Sequence, residues 1–339
     1  MSDIVLVLGT TIIAGVVLLA ALKAFRTYSR ELRKTFTPPR GRLTLPSSLA
    51  YDGARHVSFT TSGGTPLRGW YVSSANGAAV VLVHGSPGTR LDMVDDAASL
   101  QRAGFGVLLF DLPGHGESDG QVTWGTPDQE AVRAAIRFVA ARREVDPSRV
   151  GVVGFSLGAS LVARVVARTE GVRAVVLAGA YGSVEAQVRA EFASWGPVTQ
   201  VPAIAAMRAG GLAVDELRAS DVIAELAVPL LFVAGDCDRT VPIAMTRALF
   251  DAARGDKELL VVRGAAHGGY AAAGGPAYVS RIQEFFLRTL TPLPGWVADG
   301  ALIARAEHPW SFLLAPPITS PRVNASPIPA ARDSASALS

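Results

Sequence analysis

The chain has 339 residues, 49% of them hydrophobic but only 7% aromatic, so the apolar fraction is largely Ala and Val. That composition excludes wholesale disorder and suits helices packed on a sheet. A formal charge of +3 argues against a nucleic-acid partner. A single cysteine, Cys237, excludes an intramolecular disulfide. No Cys/His grouping has metal-ligand spacing, so neither a metal nor another cofactor is invoked.

The first element is an uncharged run from Ile4 to Leu22, 19 residues long. A helix needs roughly 20 apolar residues to cross a hydrocarbon core, so this run is read as a transmembrane anchor. A cleaved signal peptide fits less well: the only charge ahead of the run is Asp3, and Lys23 interrupts any small-x-small cleavage pattern. Lys23, Arg26, Arg30, Arg33, Lys34, Arg40 and Arg42 all follow the segment. The positive-inside tendency then predicts a single-pass protein with its main domain in the cytoplasm and a basic cluster facing anionic headgroups. Residues 23–48 read as a basic, Pro-containing linker, and the globular part is expected over 49–290.

Ala54–Thr61 and Leu67–Ser73 read as strands around a Ser62-Gly63-Gly64 turn. Continuous apolar runs follow at Ala78–Val83, Gly106–Phe110, Val150–Phe155, Ala174–Leu177, Leu230–Ala234 and Glu258–Val262, as expected of strands buried on both faces. Helices are predicted at Asp92–Ala103, Leu157–Arg168, Pro242–Ala253 and Pro276–Thr289. Another is predicted from a capping box at Thr126-Pro127-Asp128-Gln129 into Glu130–Arg143. The alternation predicts an α/β fold: a mostly parallel sheet with helices on both faces. Residues 181–227 exceed a simple crossover and are expected to form a small helical cap. The tail, 291–339, is rich in Pro, Ala and Ser. Trp296, Trp310 and Phe312 suggest that its first part packs on the domain, and disorder is expected beyond about Ser320.

Gly154-Phe155-Ser156-Leu157-Gly158 lies between a predicted strand and a predicted helix, the context that a nucleophile elbow requires. Ser156 is therefore the candidate nucleophile. Of five histidines, His267 follows the last strand, on the same sheet edge as the elbow, and is the candidate base ahead of His115. Asp236 and Asp238 both follow Leu230–Ala234, and either can orient that imidazole. Donors for a developing oxyanion are expected from the Leu157 N–H and from the loop His84-Gly85-Ser86-Pro87-Gly88. Pro87 has no N–H, which leaves Ser86 best placed there.

These segments, with Asp111-x-x-Gly114-His115-Gly116-x-Ser118 and Gly235-x-x-Asp238-x-x-Val241-Pro242, resemble the α/β-hydrolase superfamily over about residues 50–290. More narrowly they are similar to its serine aminopeptidase and monoacylglycerol-lipase-like branch. The resemblance implies a triad of Ser156, Asp238 and His267, oxyanion donors Ser86 and Leu157, and no cofactor. It also implies cleavage of an ester, thioester or related bond; with the anchor, a lipid-like acyl substrate at the membrane is expected. A soluble small ester, or a catalytically silent binding protein on the same fold, are the competing expectations.

Overall fold

The computed structural model describes residues 2–36, 38–50, 53–191, 193 and 196–292; Trp296, Trp310 and Phe312 lie outside them. The chain opens with helix α1, Ser2–Phe36. It therefore continues well past Leu22 into the stretch read from sequence as linker. Residues 23–36 contain no Gly or Pro, and eight of the fourteen are the good helix formers Arg, Lys, Glu, Leu and Ala, so nothing stops the helix before Pro38-Pro39. Within α1, Val7–Thr27 is long and apolar enough to cross a membrane, with a mean hydropathy of 2.1. Ile12, Ile13 and Leu19 are about two-thirds exposed, whereas Ala24 is buried.

After a single helical turn, α2 (Ser47–Ala50), an antiparallel hairpin is formed by β1 (Arg55–Thr60) and β2 (Pro66–Val72). Then come β3 (Ala79–Val83), α3 (Val94–Arg102), β4 (Gly106–Phe110), α4 (Thr126–Ala140), β5 (Val150–Phe155), α5 (Leu157–Val166) and β6 (Val172–Ala178). Two helices, α6 (Val184–Glu191) and α7 (Pro197–Ala209), occupy the region expected to form a cap, and α1 packs against α7. The chain closes through β7 (Leu230–Gly235), α8 (Ile243–Ala252), β8 (Lys257–Val262) and α9 (Tyr270–Thr289). Helix α9 begins six residues before the predicted Pro276. Its first turn and its body are separated by a kink at Gly275, whose φ of 54° is not helical.

The eight strands form one sheet in the order β1-β2-β4-β3-β5-β6-β7-β8, parallel from β4 through β8. Strands β3 and β4 are buried at every position because helices cover both faces. The period-2 alternation of strand side chains divides the core. Val81 and Val83 point to the face carrying α4, α5 and the cap, while Val80 and Leu82 point to the face carrying α3 and α9. Because β3, β5, β6, β7 and β8 run the same way, the loops after them emerge on one edge. That edge is where a ligand binds in such sheets.

One local expectation is corrected. Helix α4 is capped one residue earlier than the sequence suggests, at Gly125, whose N–H donates to Asp128 Oδ2 at 3.3 Å. Thr126 occupies the first helical position, where its N–H donates to Glu216 Oε2 at 2.9 Å. A carboxylate arriving from residue 216 thus fills the role that the Thr126 hydroxyl was expected to play.

Phe110 is fully buried at the end of β4, with its ring edge-on to Phe59 at 5.7 Å. Truncation leaves a cavity that the packed sheet cannot close. Phe110→Ala is expected to lose about 3–5 kcal/mol, measured by denaturant unfolding of the full chain in detergent.

Candidate active site

Strand β5 runs directly into the turn holding Ser156, and α5 begins at the next residue. Ser156 has φ 54° and ψ −117°, a conformation that L residues rarely adopt. Close packing imposes it. A Cβ on Gly154 would stand 2.6 Å from the Gly158 carbonyl oxygen, and one on Gly158 would strike the Val83 and His84 carbonyls. Both glycines are therefore required by proximity of strand and helix, and together they force the intervening serine outward.

His267, in the loop after β8, presents Nε2 to Ser156 Oγ at 2.8 Å and Nδ1 to Asp238 Oδ2 at 2.7 Å. Asp238 has only 1% of its side chain exposed. Its other oxygen accepts the Thr240 and Val241 N–H groups at 2.9 and 2.8 Å. Those two bonds fix the carboxylate, which in turn fixes the imidazole with its proton on Nδ1 and a lone pair facing the serine hydroxyl. The arrangement is that of a relay able to remove the Ser156 proton and stabilise the imidazolium so formed. Asp236, the other aspartate left open by residue spacing, points elsewhere: its Oδ1 accepts the Gly264 N–H at 2.6 Å and ties the β7 loop to the β8 loop.

The Leu157 N–H opens α5, and the Ser86 N–H lies in the loop after β3. Neither has a hydrogen-bond partner among the described residues. That loop lies directly on the serine, since a Cβ on Gly85 would stand 3.0 Å from Ser156 Cβ. Two free donors and a helix N-terminus beside one hydroxyl can receive a developing negative charge. Among the described residues, no group of three or more His, Cys, Asp or Glu side chains could hold a metal ion.

A cavity of about 350 Å³ adjoins His267, walled also by Phe155, Tyr270, Met93, Asp92 and Asp96. The Phe155 ring leans over the His267 ring at 4.9 Å. A second arrangement escaped the sequence reading. Arg90 is fully buried, donates to Asp111 at 2.5 Å and to Glu117, and stacks over Trp70 at 4.2 Å. The aspartate stood in a recognisable motif, but nothing in the residues around Arg90 marked it as its partner.

His84 and His115 are both buried, so neither can charge readily. Burial pushes His84 down to about 4, and burial followed by the neighbouring His84 pushes His115 down to about 3. Their folded values lie below the unfolded value near 6.5, so the unfolded chain binds more protons between those limits. The stability they supply is complete above about pH 6.5 and is lost progressively as pH falls towards 4. Asp96 and Asp128, raised to about 6 chiefly by burial, act in the opposite sense: their contribution is present at low pH and lost as pH rises through 6. Replacing one histidine isolates its share. The thermal-stability deficit of His115→Gln at pH 7 is expected to shrink at pH 4, and a deficit independent of pH would contradict a neutral His115.

Comparison with known proteins agrees with this fold. Residues 78–209 match the family model described as alpha/beta hydrolase fold, and residues 206–297 match one described as TAP-like protein. The chain is 30% identical over 285 residues to the uncharacterized protein Rv2307c of Mycobacterium tuberculosis, covering 82% of this chain and 95% of that one. It is 28% identical over 255 residues to the uncharacterized protein YfhR of Escherichia coli, covering 70% and 82%. Among solved structures, the Pyrococcus furiosus esterase Pf2001 superposes with a TM-score of 0.65 at 21% identity, over 76% of this chain and 99% of that chain. With its sheet order, its strand-serine-helix turn and these matches, the chain belongs to the α/β-hydrolase fold family.

Proposed function

We propose that the protein is a serine hydrolase that cleaves carboxylic esters or thioesters through an acyl-enzyme on Ser156, in the manner of the monoacylglycerol-lipase-like branch. The observation that carries this reading is the continuous relay Ser156 Oγ–His267 Nε2 and His267 Nδ1–Asp238 Oδ2, at 2.8 and 2.7 Å. In the first step His267 takes the serine proton as Oγ bonds to the substrate carbonyl carbon. The carbonyl oxygen becomes an oxyanion facing the Ser86 and Leu157 N–H groups. Collapse expels the alcohol or thiol, which receives the proton from His267. Water then repeats the cycle on the acyl-enzyme, releasing a carboxylic acid and restoring Ser156. That Pf2001 is called an esterase supports the same class of bond.

The reading of the substrate class is supported by α1. Its exposed apolar stretch, Val7–Thr27, acts as a single membrane anchor in this reading, and the basic residues Lys23, Arg26 and Arg30 at its C-terminal end support a hydrolase domain on the cytoplasmic side. Tethering raises the effective concentration of the site towards lipid-like acyl substrates in the bilayer. The packing of α1 against α7 supports a cap held near the membrane surface.

Three measurements test this. A fluorophosphonate probe is expected to label the full-length protein and not Ser156→Ala, and labelling that persists in the variant would exclude Ser156 as nucleophile. Cell fractionation is expected to leave the protein in the membrane pellet until detergent is added. In p-nitrophenyl esters of increasing chain length, kcat/KM is expected to rise from acetate to octanoate, and a preference for acetate would exclude the lipid substrate.

A further inference from the structure

The loop carrying Ser86 is held by two buried histidines with different grips. His84 Nδ1 lies 2.6 Å from the Gly85 carbonyl oxygen, so it must donate, since a carbonyl oxygen only accepts. The other nitrogen, Nε2, accepts the Leu112 N–H at 3.0 Å. The Gly85 oxygen also accepts the Gly88 N–H at 3.1 Å. That oxygen and the Ser86 N–H belong to one trans peptide and point in opposite directions. Anchoring the oxygen therefore aims the N–H, and two hydrogen bonds on the oxygen polarise it as a donor.

His115 adds the second grip. Its Nδ1 lies 3.0 Å from the Pro113 carbonyl oxygen and so carries the ring proton. In the neutral ring Nε2 is then an acceptor, and it stands 3.2 Å from Ser86 Oγ. The Ser86 hydroxyl must donate its proton to His115. This removes the hydroxyl from the donors available to substrate and leaves the backbone N–H as the only donor Ser86 offers. His115 is fully buried and sits edge-on to His84 at 5.1 Å, so neither ring can swing away.

We infer that His115 is a positioning residue for acyl transfer: through the Ser86 hydroxyl it fixes the Gly85–Ser86 peptide so that the Ser86 N–H meets the oxyanion. The inference rests on the acyl-transfer reading above. It assigns a catalytic purpose to a histidine that is not part of the relay and makes no contact with substrate.

The test uses full-length protein in detergent, p-nitrophenyl butyrate as substrate, and a long-chain trifluoromethyl ketone, whose serine adduct carries an oxyanion. Rates are normalised to the fraction labelled by fluorophosphonate, so that misfolded protein does not count. Losing one oxyanion donor costs about 10²–10³ in kcat, and a misaimed donor costs less. Ser86→Ala and His115→Leu are therefore each expected to lower kcat by about tenfold or more with KM unchanged. The inhibition constant for the ketone should rise by the same factor. Because both remove one interaction, the double variant should fall no further than the weaker single variant. His115→Gln retains an acceptor oxygen and should recover most of the loss. Multiplying effects in the double variant, or a loss confined to KM, would overturn the inference. A wild type that neither labels nor hydrolyses would defeat the acyl-transfer reading instead. In that case the ring-nitrogen NMR shifts of His115 still decide the geometry: a proton on Nδ1 at pH 7 upholds the tie to Ser86, and a proton on Nε2 breaks it.

Discussion

The backbone of Ser156, held at φ 54° between a strand and a helix that nearly touch, is the constraint on which the remainder of the site depends. Strand β5 and helix α5 meet over Gly154 and Gly158, with Val83 and His84 of the neighbouring strand end pressed against the same turn. A residue in such a conformation costs roughly 1–3 kcal/mol and persists only where its surroundings leave no alternative. Here the alternatives are closed by backbone on every side. The hydroxyl consequently stands clear of the sheet, while the first N–H of α5 lies immediately behind it. Parallel pairing then brings the loops after β3, β7 and β8 to the same edge.

Polar groups beneath that edge are arranged to keep it rigid. The buried Arg90–Asp111 pair and the two neutral histidines carry a desolvation cost that apolar residues would avoid. What they provide is registration between the loops after β3 and β4. Arg90 N–H and Leu112 N–H cross in opposite directions, to Asp111 and to His84. Such a brace suits a site in which donor direction, rather than binding strength, sets the rate.

Much of this was legible in the residues. Each predicted strand agrees with its observed span to within two residues: the inner strands announce themselves as apolar runs between turn residues, and the opening hairpin by its Ser62-Gly63-Gly64 turn. Among its described residues the region 181–227 holds two α-helices and two short 3-10 turns, as its excess length suggested. Helix ends were read less well where a distant side chain decides them, as Glu216 does at Thr126, or where no breaker residue intervenes, as in α1 after Leu22. Ser156 stood out by its glycine-flanked place between a predicted strand and a predicted helix and His267 by following the last strand, and the structure brings the two within hydrogen-bonding distance. Asp236 and Asp238 were not separable by spacing, since both follow β7; their fates depend on which carboxylate Thr240 and Val241 turn towards His267. The hydroxyl of Ser86 and the role of His115 were invisible because a hydrogen bond between residues 29 apart leaves no local pattern.

The central claim is that Ser156 forms a covalent acyl-enzyme. Mixing full-length protein with p-nitrophenyl butyrate, quenching in acid within the first turnovers and mapping tryptic peptides by mass spectrometry tests it directly. The account predicts a butyryl adduct on the peptide Val150–Arg164, located by fragmentation at Ser156 and absent from His267→Ala. An adduct at Ser160 or on another peptide, or ester turnover with no acylated serine under the same quench, would contradict it.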